Sequence, residues 1–576
     1  MSPVRSIAPL LPTRQLLAEG GDERIALDPL TMTNKYGCRP VPDNQLAAFG
    51  SVTASTISEA GFAAADDMRK RLLSGAQVAG QAENYWTELR RIRADLISLC
   101  GLDDLNGLKV ILSPSGTDAH MVAARLVAAG GAAKTLVIMV QPTETGRGVR
   151  DALAGRMHCR YASASRGGNV GLLDGLAVAT VAIRTQDGSA RRAVDIDDEI
   201  EAIVSSGATS YDRILIVLTD VSKTGILAPT PGAVLSLRER WLERIEVLVD
   251  AAQFRLGPSS LRAYLMNDCM VAVTGSKFVG GPIFSAALLV PEAAASRLAR
   301  CSLDAALRMT CARAEWPQNW NGAAALPDVC NYGLLLRWEA ALAELRAFRA
   351  IPDADVESVV RAFGEMITDR LEKANHFEPL EQPMIDRRTI VTTKHWDQIP
   401  TIFPFLLFQT RAGRRRPLAP DETRAIYEQM RHGVIRDIAA SREEDGCRAV
   451  ALRCELGQPV LCGERQGVQL TALRLCLSAR LIVEAVAGGG AALRMFSIAL
   501  SRSWTRWLTL SIRYVFHPDT CAGLVSALPR GRRTRFAGRS ETEKSLGAAA
   551  LGIERFASAS IFSVPGCSAY SRRTGR

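Results

Sequence analysis

The sequence predicts an α/β protein: a large domain with a mostly parallel sheet flanked by helices, a smaller α/β domain after it, and an irregular basic tail. Three observations carry this. Short Val/Ile/Leu-rich runs alternate with helix-length segments between Lys109 and Val290. A second, shorter set of such segments follows a long amphipathic stretch. Composition and charge then change abruptly after the glycine run Gly488-Gly489-Gly490.

The runs Lys109–Ser113, Thr135–Val140, Ile214–Thr219, Glu246–Asp250, Met270–Thr274 and Phe284–Val290 are too short for helices and are bounded by turn residues. Buried strands of a parallel sheet have this form. Between them, Ala119–Ala129, Ile196–Ser206 and Pro231–Ile245 suit crossover helices. Upstream, Gly61–Cys100 has a helical pattern, whereas residues 1–60 are rich in Pro, Gly, Ser and Thr. Tyr332–Arg349 sets Leu334, Trp338, Leu342 and Leu345 near one face and predicts a long helix joining two lobes. Beyond it, helices are expected at Asp355–Ala374 and Asp421–Val434, and strands at Thr389–Thr392, Ala449–Glu455 and Leu470–Leu477. The expected division is an N-terminal segment 1–60, a large domain 61–330, a connecting helix with a small C-terminal domain 331–490, and a tail 491–576 that is disordered or frame-shifted.

Composition excludes several classes of function. Of 576 residues, 47% are apolar and 23% charged, enough to bury a core and too apolar for a disordered chain. No run of 18 uninterrupted apolar residues occurs, so no membrane span is expected. The first residues lack a continuous apolar segment of the signal-peptide kind, and a cytoplasmic protein is expected. The net charge of +10 belongs to the tail: 14 Lys/Arg and 4 Asp/Glu follow Gly490, leaving 56 of each sign before it. A neutral body gives no electrostatic footprint for nucleic acid. Thirteen cysteines form no CxxC pair, and Cys447, Cys454, Cys462 and Cys476 are spaced by 7, 8 and 14 residues. That fits buried thiols rather than zinc, and the histidines share no metal-like spacing. No metal is expected.

Two motifs carry chemistry. Leu112-Ser-Pro-Ser-Gly-Thr-Asp-Ala-His lies between a predicted strand and a predicted helix, with Ser115, Gly116 and Thr117 where the helix begins. Free N–H groups and the helix dipole favour an anion there, although Ser-Gly-Thr-Asp is equally an ordinary N-cap. Val247-Leu-Val-Asp-Ala-Ala-Gln ends a strand with Asp250 and Gln253, and the next strand runs into Val273-Thr-Gly-Ser-Lys-Phe-Val-Gly-Gly-Pro. Lys277 can form a Schiff base, Asp250 can keep a heteroaromatic nitrogen protonated, and the hydroxyl-rich turns can hold a phosphate. Together they describe a site for pyridoxal 5'-phosphate (PLP).

The order of these motifs resembles the fold-type I PLP enzymes, closest to the class V aminotransferase and cysteine desulfurase group. The resemblance spans roughly residues 50–485 and rests on a few short motifs. It implies that 61–330 is the PLP-binding domain, that Lys277 is the Schiff-base lysine, that Asp250 partners the pyridine nitrogen and that Gln253 meets the phenolic oxygen. Thr274 would bind the phosphate with Gly116 and Thr117, and Ser276, before the lysine, would reach it too. In Thr219-Asp-Val-Ser-Lys-Thr-Gly-Ile-Leu-Ala-Pro, Ser222 falls where an Asn commonly approaches the phenolic oxygen. In Ala472-Leu-Arg-Leu-Cys-Leu-Ser, Arg474 would bind a substrate carboxylate, a solvated strand residue being the equal alternative. The resemblance also implies a homodimer with Gly280-Gly281-Pro282 near the interface.

This sequence departs from the pattern at two places. Gln141-Pro-Thr-Glu-Thr-Gly puts Glu144 or Thr145 where relatives stack a ring on the cofactor. His120 could substitute, but its apolar helix favours a core role. Cys447 is the only candidate for a desulfurase loop cysteine, and nothing around it signals a lowered thiol pKa. Asn34-Lys-Tyr-Gly-Cys-Arg-Pro and Phe49-Gly-Ser-Val-Thr-Ala-Ser-Thr could line the site mouth, a surface loop being the equal alternative. The expected activity is a PLP-dependent aminotransferase or lyase/desulfurase acting on an amino acid or related amine. The alternative is a degenerate relative with a binding or regulatory role.

Overall fold

A computed structural model describes residues 10–129, 134–156, 176–242, 244–301, 303–373, 375–411, 413–432 and 453–488. The basic tail expected from residue 491 and Cys447 lie outside the described residues. The α/β architecture is present. Seven strands form the larger sheet: β2 (Lys109–Ser113), β3 (Thr135–Val140), β4 (Leu176–Val181), β5 (Arg213–Thr219), β6 (Ile245–Ala251), β7 (Met270–Thr274) and β8 (Ala286–Val290), in the order β2-β8-β7-β6-β5-β3-β4. The pairings from β4 through to β7 are parallel, and β8 runs antiparallel to both its neighbours. All six predicted runs became strands. The edge strand β4 was not foreseen, and its half-exposed alanines explain why.

The strands are continuous apolar runs because helices cover both faces; β3, β6, β7 and β8 are buried at every position. Each fully buried Val, Leu or Ile contributes on the order of 1.5–3 kcal/mol relative to exposure. The crossover helices are Gly116–Ala129, Ala193–Gly207 and Pro231–Arg240, the last ending before the predicted Ile245. Thr230 caps it, accepting from Ala233 N at 3.2 Å, with Pro231 at the first helical position. The expected helical region Gly61–Cys100 is two helices, Glu59–Ala79 and Gln81–Leu99, parted by Gly80 at φ 83°.

Helix Tyr332–Arg349 is buried around most of its circumference rather than along one stripe. It passes beneath the loop that carries Lys277. A Cβ on Gly275 would lie 2.5 Å from Ala341 Cβ, and one on Gly281 2.6 Å from it, so both glycines are needed for this close approach.

The second sheet runs β1-β12-β13-β10-β11, with β9 (Phe377–Pro379) also paired to β10. Its strands are β1 (Leu46–Phe49), β10 (Ile402–Arg411), β11 (Arg414–Pro417), β12 (Arg453–Arg465) and β13 (Val468–Cys476). β1 comes from the N-terminal segment and pairs in parallel with β12, Phe49 opposite Leu456. Helices Asp353–Glu372 and Pro420–His432 match expectation closely. The strand expected at Thr389–Thr392 is instead a turn and extended loop, held by Ile390 N and Val391 N donating to the Arg387 carbonyl. The β-branched residues there pack as a loop, because Arg387 is anchored by a buried ion pair to Asp220 at the end of β5.

Candidate functional site

The site lies at the carboxyl ends of the parallel strands, where a sheet of this kind leaves its crevice. Asp250 is the penultimate residue of β6, and Lys277 follows the end of β7 by three residues. Both strands are buried and adjacent, so the sheet register brings the two chain segments together. Asp250 is buried and accepts from Ala252 N at 3.1 Å. Behind it, His120 Nε2 lies 3.3 Å from Asp250 Oδ2, and His120 Nδ1 is 2.7 Å from the Gly116 carbonyl. Burial opposes the Asp250 charge, but His120, Lys277 and the Ala252 N–H outweigh it and hold the carboxyl down at about 2. Burial also works against the His120 cation, yet Asp250 raises its pKa overall. His120 is thus a core residue with a task, supporting the carboxylate.

Lys277 is half-buried. Burial pushes its ammonium pKa down; Asp250 opposes this, and Arg255 and Arg474 reinforce it. Its carbonyl accepts from Ser55 Oγ at 3.1 Å and from Gly280 N at 3.1 Å, fixing the loop. Gly280 and Gly281 are buried within the chain.

Gln253 Nε2 donates to the Val52 carbonyl at 3.2 Å, while its Oε1 is buried without a partner. Thr274 Oγ1 donates to the Ala252 carbonyl at 2.7 Å, and Ser276 Oγ stands 3.4 Å from it. Gly116 packs against this pair: a Cβ there would sit 3.1 Å from Thr274 Cγ2. The two turns predicted to hold a phosphate therefore meet. Ser115 caps its helix, in reciprocal bonds with Asp118: Asp118 N to Ser115 Oγ at 3.3 Å, Ser115 N to Asp118 Oδ2 at 3.0 Å.

Arg474, 1% exposed, donates to the carbonyl of Lys223 at 3.3 Å and to Thr53 Oγ1 at 3.4 Å, and also to the Gln458 carbonyl. Its Nε is buried without a partner, and burial lowers its pKa. The solvated alternative for Arg474 does not hold. Ser222 stands near but is engaged: its Oγ donates to Glu144 Oε2 at 2.8 Å. Glu144 itself is fully buried, paired to Arg184 at 3.1 Å and bonded by Thr224. Thr145, beside it, keeps a buried hydroxyl without a partner.

Three further residues join the site without having been singled out from sequence. Arg24, from the irregular N-terminal segment, donates to Ser115 Oγ and Thr117 Oγ1, each at 3.1 Å, while chelated by Asp22. Arg255 donates to Thr401 Oγ1 at 2.9 Å, the Leu477 carbonyl at 2.8 Å and Ser51 Oγ at 3.0 Å. Lys223 is the third. Arg24 had no signal; Arg255, two residues past Gln253, was visible as a charge in an otherwise apolar turn. The Ser51–Ser55 stretch, expected to line the site, touches Arg255, Gln253, Arg474 and the Lys277 loop.

The residues fit PLP. A buried carboxylate held charged, a lysine with a depressed pKa, an unpartnered amide oxygen on Gln253 and a glycine cradle at the hydroxyl turns are the donor set this cofactor requires.

No protein-family model matches the chain, and no curated protein matches it in sequence. Among solved structures, the chain is similar to the cysteine desulfurase CsdA of Escherichia coli, 14% identical with a TM-score of 0.45, covering 78% of this chain and 94% of that one. It is also similar to the cystine C–S lyase C-DES, at 13% identity and a TM-score of 0.46, over 77% and 97% of the two chains. A cysteine desulfurase from Thermococcus onnurineus gives 13% and 0.45, over 77% and 94%.

Proposed function

We propose that this chain is a PLP-dependent enzyme acting on an amino acid or related amine, of the aminotransferase or lyase/desulfurase type, with Lys277 as the Schiff-base residue. One observation carries the reading: a carboxylate held at about 2 and a lysine with a lowered pKa share one site at the ends of adjacent strands. PLP, when bound, supplies an electron sink for the substrate's α-carbon. Asp250, kept charged by His120, would hold the ring nitrogen protonated. Lys277, whose ammonium form burial disfavours, would serve as the nucleophile and α-carbon base. Ser115, Gly116, Thr117, Thr274 and Ser276 form the proposed phosphate cradle. Gln253 and, less directly, Ser222 would stand on the phenolic side. Arg474 is the proposed carboxylate fork.

A binding or regulatory role is favoured by one feature, the buried Glu144–Arg184 pair where a stacking ring would be expected. Absorbance separates the two. Purified protein given PLP should acquire a visible band that Lys277→Ala abolishes. A chain that stays colourless, or a variant with an unchanged band, refutes the enzyme reading.

A further inference from the structure

Two cations of the site, the buried Arg474 and the half-buried Lys223, have no carboxylate partner among the described residues. Arg474 Nη1 donates to the Lys223 carbonyl at 3.3 Å, and Lys223 Nζ donates to the Thr143 carbonyl at 3.2 Å. Both side chains are held by carbonyl and hydroxyl oxygens, and among the described residues no carboxylate pairs with either. The carboxylate whose field reaches both is Glu144. Its two oxygens are already taken by Arg184, Ser222 and Thr224. A charge removed from water is costly unless an opposite charge meets it. Burial, reinforced by Arg474 and Lys277, pushes the Lys223 ammonium down to about 7. An anion beside it would reverse that shift.

An ordinary amino acid brings one carboxylate, enough for Arg474 alone. On the PLP reading above, we infer that the substrate is an amino acid with an acidic side chain, a dicarboxylic amino acid or its sulfinate analogue, whose distal anion is bound by Lys223. Lys223 is then the specificity residue, a compact cation suited to an oxyanion, and Arg474 the fork for the α-carboxylate. The Glu144–Arg184 pair keeps Glu144 from neutralising Lys223 in place of the substrate.

The test uses the PLP-loaded protein and the change in its visible spectrum on titration with L-aspartate, L-glutamate, L-cysteine sulfinate, L-asparagine and L-glutamine. The best acid should saturate at a concentration at least about tenfold below its amide, as a charge-assisted contact provides. Lys223→Gln should collapse that ratio towards one, and Lys223→Arg should retain most of it. Equal saturation by acid and amide, or a ratio that survives in Lys223→Gln, overturns the inference. A second arm needs no cofactor: calorimetric titration of the apo-protein with succinate and with succinamate. Succinate should bind about tenfold tighter, with the advantage lost in Lys223→Gln. Success here with no visible band on PLP addition would refute the cofactor reading and keep the two-cation site; succinate no better than succinamate refutes the two-cation site.

Discussion

At the scale of single residues, His120 shows how a side chain can serve a site it does not enter. Its ring is buried, one nitrogen on the Gly116 carbonyl and the other beside Asp250. Replacing it with Leu removes the largest of the groups that offset the burial of Asp250 and leaves only Lys277 and the Ala252 N–H, so the carboxyl pKa should rise above about 2. The PLP band of the wild type should keep its form down to about pH 4, whereas His120→Leu should lose it progressively on acidification at a higher pH. Identical pH profiles would remove His120 from the support of Asp250. The sequence made Lys277, Asp250 and Gln253 legible because they sit at fixed offsets from strand ends. It left His120 ambiguous and gave no sign of Arg24 or Lys223, because each reaches a partner from another part of the chain, and a charge carries no address in sequence.

At the scale of elements, the loop bearing Lys277 and helix Tyr332–Arg349 are fitted backbone to side chain. Gly275→Val puts branched methyls where even a Cβ would sit 2.5 Å from Ala341. The substitution should cost about 1–3 kcal/mol by overpacking and reduce PLP retention, read by denaturant midpoint and by band intensity after gel filtration. The companion change Ala341→Gly should recover part of both; no recovery would place the strain elsewhere. Arg387 is a different case. It is fully buried against Asp220, which also accepts from Tyr264 Oη at 2.7 Å. Arg387→Met strands a buried carboxylate and should destabilise by about 3–5 kcal/mol in urea unfolding, and adding Asp220→Asn should restore much of that loss. A loss no larger than that of a surface substitution would contradict the pair's role. This pair also explains why Thr389–Thr392 was misread: its β-branched run has strand propensity, and a long-range ion pair overrode it.

At the scale of the whole molecule, the smaller sheet depends on the N-terminal segment, which composition had set apart. β1 supplies its edge, and Ser51–Ser55 fill the space between the sheets' functional ends. Glu455, on β12 beside β1, reports on this junction. Burial pushes its carboxyl up to about 7, with Arg431 opposing. Between pH 4.5 and 7 the folded chain retains a proton that the unfolded chain has released. The associated stability is present in full below pH 4.5 and is lost as pH rises through 7, on the order of 3 kcal/mol. Glu455→Gln should therefore gain on the wild type in urea midpoint between pH 5 and pH 8, and a constant difference across that range would refute the shift. Six of the seven strands of the larger sheet were readable because they are short, largely apolar runs, whereas the half-exposed edge strand β4 was not. The smaller sheet was read only in part because β10 and β11 carry Pro404, Gln409 and an arginine cluster, which break any simple pattern.

The parallel pairing of β1 with β12 has a consequence for biosynthesis. Leu46–Phe49 meet their partners at Arg453–Leu456, about four hundred residues later. At roughly 5–20 residues per second, a ribosome exposes that strand for about 20–80 s before its mate exists. Throughout translation an unpaired, partly apolar ribbon near the amino terminus is open to wrong partners, so soluble yield should depend on chaperone supply more than on the finished protein's stability.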